Sequence, residues 1–350
     1  MSPSQRQYFV LYRLAQLGYA KREHLLRACF LDVPDGQTRF ERDIEPLIRP
    51  RNRRGDALIV EEAATGLLSL NRAGRFTLDA PLRSEPREAF STEGDAEPTY
   101  FRGRSDDGRP IPYGVRSLPT ERRLTETTNL DERVALADVL TRFLELEGGR
   151  MRTTDRSYRI ERVEVFSKPP EFGFPIGNRK ASIRPDGLIL LARRDDAGAL
   201  HADWHYLEYE ETSTPSKKLD ALRQYAQFFW MGAFQRLWND EYRFLYDLNE
   251  VNDGKEVETP RFKVLVVVEE NDGSGYLDGI LREFRFSKDV GLDYRELGFP
   301  SDTMGTGQFL VCQRSAFVRA EHALARVWLD GEQRLRRLAG EEWNFVTYLG

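Results

Sequence analysis

Apolar residues recur at helical spacing near the start of the chain. Phe9, Val10, Leu14 and Leu17 predict a helix from Gln5 to Ala20, ended by Gly18. Leu25, Leu26 and Cys29 form the inward face of a second helix, Lys21 to Phe30. A third runs to about Ile48 on Phe40, Ile44, Leu47 and Ile48, with Thr38 and Glu41 at capping-box positions. Pro46 falls late in it and should kink it or end it early. Two short runs, Ala57 to Val60 and Leu67 to Leu70, flank Thr65-Gly66 and read as a hairpin. The phrase Leu-Ser-Leu-Asn-Arg-Ala-Gly-Arg-Phe-Thr-Leu closes this part. Three helices and a hairpin within residues 1–80 predict an α+β winged helix-turn-helix domain.

Residues 81–125 change character. They carry Pro81, Pro86, Pro98, Pro110, Pro112 and Pro119, several glycines and few aliphatics, and read as an interdomain linker. Residues 126–350 then alternate strand and helix patterns, which predicts an α/β domain. Leu130, Val134, Ala137, Leu140 and Leu144 stripe a helix that Gly148-Gly149 stop. Ile160 to Phe166 is a strand, and Lys168 to Lys180 reads as a Pro/Gly loop rich in aromatics. Leu188 to Leu191 is a buried strand, Arg193 to Gly198 a turn, and Trp204 to Glu211 an alternating strand. Leu219 to Trp238 predicts one long helix, apolar over more than one face, either wedged under the sheet or paired in a homodimer. Phe262 to Val268 is a central strand. A helix around Tyr276 to Phe284, a strand from Gln308 to Cys312 and a helix from Arg314 to Ala325 complete the pattern.

Composition narrows the function classes. The 350 residues carry a formal charge of −5, so bulk charge announces no nucleic-acid binder. The charge is uneven: residues 1–80 hold 13 Lys+Arg against 10 Asp+Glu, net +3, which leaves −8 for the rest. Cys29 and Cys312 offer neither a disulfide framework nor zinc spacing. No apolar run approaches bilayer length and no signal-peptide pattern opens the chain, so the expected location is cytoplasmic, without a membrane partner.

The candidate chemistry lies between Ile183 and Tyr225. With a strand period of two, Tyr206, Glu208 and Glu210 share one face, and Leu207 and Tyr209 the other. Asp186, on the neighbouring strand, adds a third carboxylate. Acids brought together repel unless a cation sits between them, and oxygen donors in that number suit Mg²⁺ or Mn²⁺. His205 falls on the opposite face from Glu208 and reads as structural. Glu132 and Glu145 on the preceding helix are candidates for a further acid, or simply solvated charge. In the head, Arg39 and Arg42 lie three apart on the third helix, and Arg49, Arg51, Arg53 and Arg54 follow toward the hairpin. The functional reading is phosphate contact with double-stranded DNA. A solvated basic surface gives the same pattern.

Pro185-Asp186 and Glu208 resemble the core motif of the PD-(D/E)xK nuclease superfamily: a strand carrying Pro-Asp, a hairpin, and a strand carrying Glu-x-Lys. The lysine position is occupied by Glu210. More narrowly, Leu-Glu-Tyr-Glu-Glu-Thr followed by Lys-Lys-Leu and Tyr225 resembles the replication-relaxation family of plasmid and mobile-element proteins. That resemblance implies a winged helix joined to a nuclease-like mixed sheet flanked by helices. It implies Asp186, Glu208 and Glu210 as metal ligands, with Lys217 or Lys218 as a migrated catalytic lysine. It also implies an accessory role in plasmid replication or mobilisation, with weak or absent nuclease activity. Two alternatives stay open. One is an active Mg²⁺-dependent DNA endonuclease, for example in phage defence. The other is a non-catalytic dimeric scaffold that docks a plasmid or defence-system partner, such as an ATPase or relaxase.

Overall fold

The first helix, α1 (Gln5–Leu17), starts at a capping box in which Ser4 and Gln7 satisfy each other's backbone N–H groups. It ends at Gly18, whose φ of 74° few other residues adopt. The computed structural model describes residues 3–31, 33–49, 57–83, 129–152, 157–167, 169, 171–210, 224–225, 227–228, 232–238, 262–269, 309–325, 327–329, 335–336 and 344–346. The predicted linker therefore lies almost wholly outside the described residues, as does the predicted helix around Tyr276.

After α1 come β1 (Tyr19–Ala20), α2 (Arg22–Phe30), α3 (Gly36–Ile48), β2 (Ile59–Glu61), β3 (Leu68–Leu70) and α4 (Arg72–Arg83). The strands form an antiparallel sheet in the order β1-β3-β2. Two details of α3 differ from expectation. It begins two residues before Thr38, after Asp35 in a left-handed conformation, so Thr38 and Glu41 lie inside the helix rather than at its cap. It also continues through Pro46 to Ile48, because Arg49 N–H still closes the last turn onto Glu45. Gly74 in α4 is required by close approach: a Cβ there would lie 2.2 Å from the Leu58 carbonyl oxygen. The helix α4 passes the expected boundary at residue 80 by three residues.

The second part is built on one large sheet. Its strands are β4 (Arg150–Arg152), β5 (Ser157–Ser167), β8 (Gly187–Asp195), β9 (Leu200–Glu210), β10 (Phe262–Val268), β11 (Phe309–Gln313), β12 (Trp328–Leu329), β13 (Leu335–Arg336) and β14 (Asn344–Val346). The order is β13-β12-β11-β10-β9-β8-β5-β4-β14. Pairing is antiparallel for β5/β8 and β8/β9, then parallel for β9/β10 and β10/β11, so the sheet is mixed. The helix α5 (Leu130–Leu144) precedes these strands, and α6 (Ala233–Leu237) and α7 (Arg314–Arg319) follow within the order.

Sheet period two sorts the core. Ile189, Leu191, Leu207, Tyr209, Leu265 and Val267 face α5, α7 and the head. Leu188, Leu190, Trp204, Tyr206, Val264 and Val266 face Tyr225, Phe228, Phe234 and Trp238. The long helix expected over 219–238 is interrupted, since Gly232 (φ 61°) takes a left-handed conformation and α6 starts after it. Tyr225, Phe228, Phe234 and Trp238 pack beneath the sheet, with Tyr206 and Tyr225 ring centroids 5.4 Å apart. The expected loop at 168–180 is instead a hairpin, β6 (Phe172–Ile176) and β7 (Arg179–Ile183). Phe172 and Phe174 point inward by strand alternation, and Gly177 makes the turn. Both cysteines are buried thiols. Among the described residues, no helix is long and apolar enough to cross a membrane.

Head and body share one apolar cluster, which runs from Phe9, Leu14 and Leu17 through Leu136 and Leu140 to Val163 and Leu265. The joint is the part of β5 that β4 leaves unpaired. The Val163 carbonyl accepts from Arg13 at 3.1 Å and its N–H donates to Glu147 at 3.2 Å. Tyr12 donates to Glu164 at 2.8 Å, and Gln16 and Arg162 also bind that carboxylate. The unpaired stretch of β5 is thus met by side chains of a helix far away in sequence.

Candidate functional site

The acids sit where the β8–β9 hairpin opens. Gly187 stands opposite Leu207, so Asp186, one residue earlier, falls across from Glu208. The Asp186 N–H donates to the Leu207 carbonyl at 2.9 Å, and one carboxylate oxygen accepts from Tyr209 N–H at 3.0 Å. Asp186 therefore extends the ladder with its own side chain. Gly187 lets α5 approach: a Cβ there would lie 3.0 Å from Leu207 Cδ2 and 3.3 Å from Leu140 Cδ2.

Glu208 and Glu210 lie beside Val266 and Val268 of β10, on the aromatic face. They are only 6% and 8% exposed. The alternating run is, from Trp204 to Glu210, a strand buried on both faces. Burial of a carboxylate is costly without donors, and Glu208 receives one from the Tyr225 hydroxyl. Burial, followed by the charge of Glu208, pushes the Tyr225 phenol well above its ordinary value, so it remains a donor.

The expected metal centre was a set of three carboxylates. One oxygen of Asp186 is taken by a backbone amide and one of Glu208 by a phenol. Among the described residues, no three His, Cys, Asp or Glu side chains stand close enough together to hold a metal ion. Lys217 and Lys218 lie outside the described residues.

On the opposite face a polar chain went unread in the sequence. The Tyr209 hydroxyl donates to Glu269, which Arg314 grips with two nitrogens at 2.7 and 3.0 Å. A third Arg314 nitrogen reaches Asp138 of α5 at 2.9 Å. Asp138 also binds His24 Nε2 at 2.8 Å, while His24 Nδ1 accepts from Lys21 N–H. Burial opposes the charges of Glu269 and Asp138, but Arg314 and Tyr209 hold the first below its ordinary range, and His24 and Arg314 the second. The acid that α5 contributes near this end of the sheet is thus Asp138. Glu145, one of the two expected, is bound by Arg27 and Arg142. His205 lies on the same face as Tyr209, 6.5 Å from the Phe143 ring, as its predicted placement required.

In the head, Arg39, Arg42 and Arg49 are exposed on and just after α3, the last two with side chains 70% and 77% accessible. Arg51, Arg53 and Arg54 lie outside the described residues. Arg22 of α2 binds Glu41, Glu45 and Glu61 together. Arg42 also meets Asp43, and Arg49 meets Glu45 at 3.4 Å. Such exposed pairs contribute little and exchange readily for another anion.

Comparison with known proteins finds no matching family model, no matching curated protein and no matching solved structure.

Proposed function

We propose that the chain is a duplex-DNA-binding accessory protein: a winged helix-turn-helix reader mounted on a nuclease-like body of weak or absent activity. The observation that carries the reading is the division of charge in the head. Arg22 gathers the carboxylates of Glu41, Glu45 and Glu61, while Arg39, Arg42 and Arg49 stand exposed on α3 and its end, Arg42 and Arg49 in surface pairs with Asp43 and Glu45. Helix order and the β1-β3-β2 sheet agree with a winged helix, in which α3 would enter the major groove. The arginines would position the head on phosphates, and base contacts would have to specify sequence.

For the body, the succession α5, β5, β8, β9, helical residues near Tyr225, β10 on a mixed sheet agrees with a PD-(D/E)xK-type fold. Low or absent activity is favoured by Glu210 in the lysine position and by the hydrogen bonds that engage one oxygen of Asp186 and one of Glu208 with Tyr209 and Tyr225. The resemblance to the replication-relaxation family extends the reading to plasmid or mobile-element DNA. The test is to mix the full chain with labelled duplex at low salt, with and without Mg²⁺ or Mn²⁺. Binding with the duplex left intact is expected. Metal-dependent cleavage would replace this reading by the endonuclease, and no binding at low salt would remove DNA altogether.

A further inference from the structure

The polar chain on the α5 side of the sheet has one end in the helix-turn-helix and the other at the acidic edge. It passes from His24 on α2 to Asp138 on α5, to Arg314 at the start of α7, to Glu269 after β10, and to the Tyr209 hydroxyl on β9. Tyr209 closes the sequence with its own main chain, since its N–H is the group that holds Asp186. Five elements distant in sequence meet through charge-assisted bonds, which are stronger and more directional than neutral ones. Arg314 is the hub: its Nε and one terminal nitrogen hold Glu269, and its other terminal nitrogen holds Asp138. A guanidinium fork fixes both partners in one plane, which a lysine cannot do. His24 is fully buried. Its Nδ1 is engaged by a backbone N–H, so Nε2 carries the proton that Asp138 accepts.

We infer that Arg314 is a positioning residue that holds the first helix of the helix-turn-helix and the Asp186–Tyr209 corner in one fixed register, so that duplex bound by the head is felt at the acidic edge. The inference rests on the proposed DNA reading and adds a route through named atoms. Contacts that steady α2 also steady the Asp138 carboxylate, and through Arg314 the Glu269 carboxylate and Tyr209. Coupling between two sites must appear as a change at one on occupation of the other.

The experiment is hydrogen–deuterium exchange on the full chain, with and without saturating duplex, read at peptides covering Tyr209 and Asp186. In the wild type, duplex should slow exchange at Tyr209 about fivefold or more, the lower end of ordinary intersite coupling. In Arg314→Met that slowing should disappear while duplex affinity changes little. Arg314→Lys, which can keep one arm only, should restore part of it. Tyr209→Phe removes a single hydroxyl at the far end and should give the same loss if Arg314→Met fails to fold. A merely structural arginine would leave the duplex-induced change in place in both variants, and that result overturns the inference. So does a wild type that binds duplex with exchange at Tyr209 unchanged, which leaves the DNA reading standing. A wild type that binds no duplex removes both.

Discussion

His205 shows what a single residue can hide. The sequence places it correctly on the face opposite Glu208, but not its surroundings. It is 2% exposed, and neither ring nitrogen makes a hydrogen bond of ordinary geometry among the described residues. Burial, reinforced by Lys263 and Arg193 and opposed by Asp203, pushes its pKa down to about 3. An unfolded chain takes up the proton near the ordinary value of 6.5, whereas the folded one does not until about 3. Stability is therefore full above 6.5 and lost progressively as pH falls toward 3. His205→Phe, packed against Phe143, should raise stability at neutral pH by about 1–3 kcal/mol, the cost of unpaired buried polar groups. It should also flatten the loss between pH 6.5 and 4. Denaturant melts at several pH values check this; an unchanged acid slope would mean that other groups dominate. The acids were legible by type and spacing, and Tyr225 stood in the motif without a role, but Glu269 and Arg314 were not legible, because ion pairs across the fold leave no periodic trace.

Elements were legible where periodicity ran long enough. β8, β9 and β10 lie where their apolar runs put them, α1 ends at Gly18, α2 ends at Phe30 as expected, and α5 stops shortly before Gly148. β4, β12, β13 and β14 have two or three residues each, too few to set a pattern, and pair only because the sheet is there to receive them. The hairpin of β6 and β7 was masked by Gly173 and Pro175, which read as loop signals but sit at outward positions of a two-stranded edge. The break at Gly232 was misread because the apolar stripe continues past it. The role of β5 depended on a partner about 150 residues away: Glu164 is 3% exposed and serves Tyr12, Gln16 and Arg162 at once. Glu164→Ala should cost about 3–5 kcal/mol, since it strands buried donors and a buried cation. Chemical denaturation of wild type and variant measures it. A loss under about 1 kcal/mol would show that the network is spared by solvent or rearrangement.

At the scale of the molecule, the composition shift at residues 81–125 suggested two separate units, but the head and body share a core and a buried polar joint. Limited proteolysis should cut first in the proline-rich stretch, as its composition predicts. The two fragments should then stay together through gel filtration and separate only in denaturant. Fragments that part on native elution would mean that the joint is too weak to hold the head in place. The central claim, a DNA reader carried by the arginines of α3, is tested most directly by the salt dependence of duplex affinity. Measure it for the full-length wild type and for Arg39→Ala/Arg42→Ala/Arg49→Ala. The wild type should lose affinity steeply as salt rises, with a log–log slope of about −0.9 per phosphate contact. The variant's slope should be shallower by up to about 2.7 if all three arginines touch phosphate. Equal slopes in the two proteins, or wild-type affinity that ignores salt, would contradict the account.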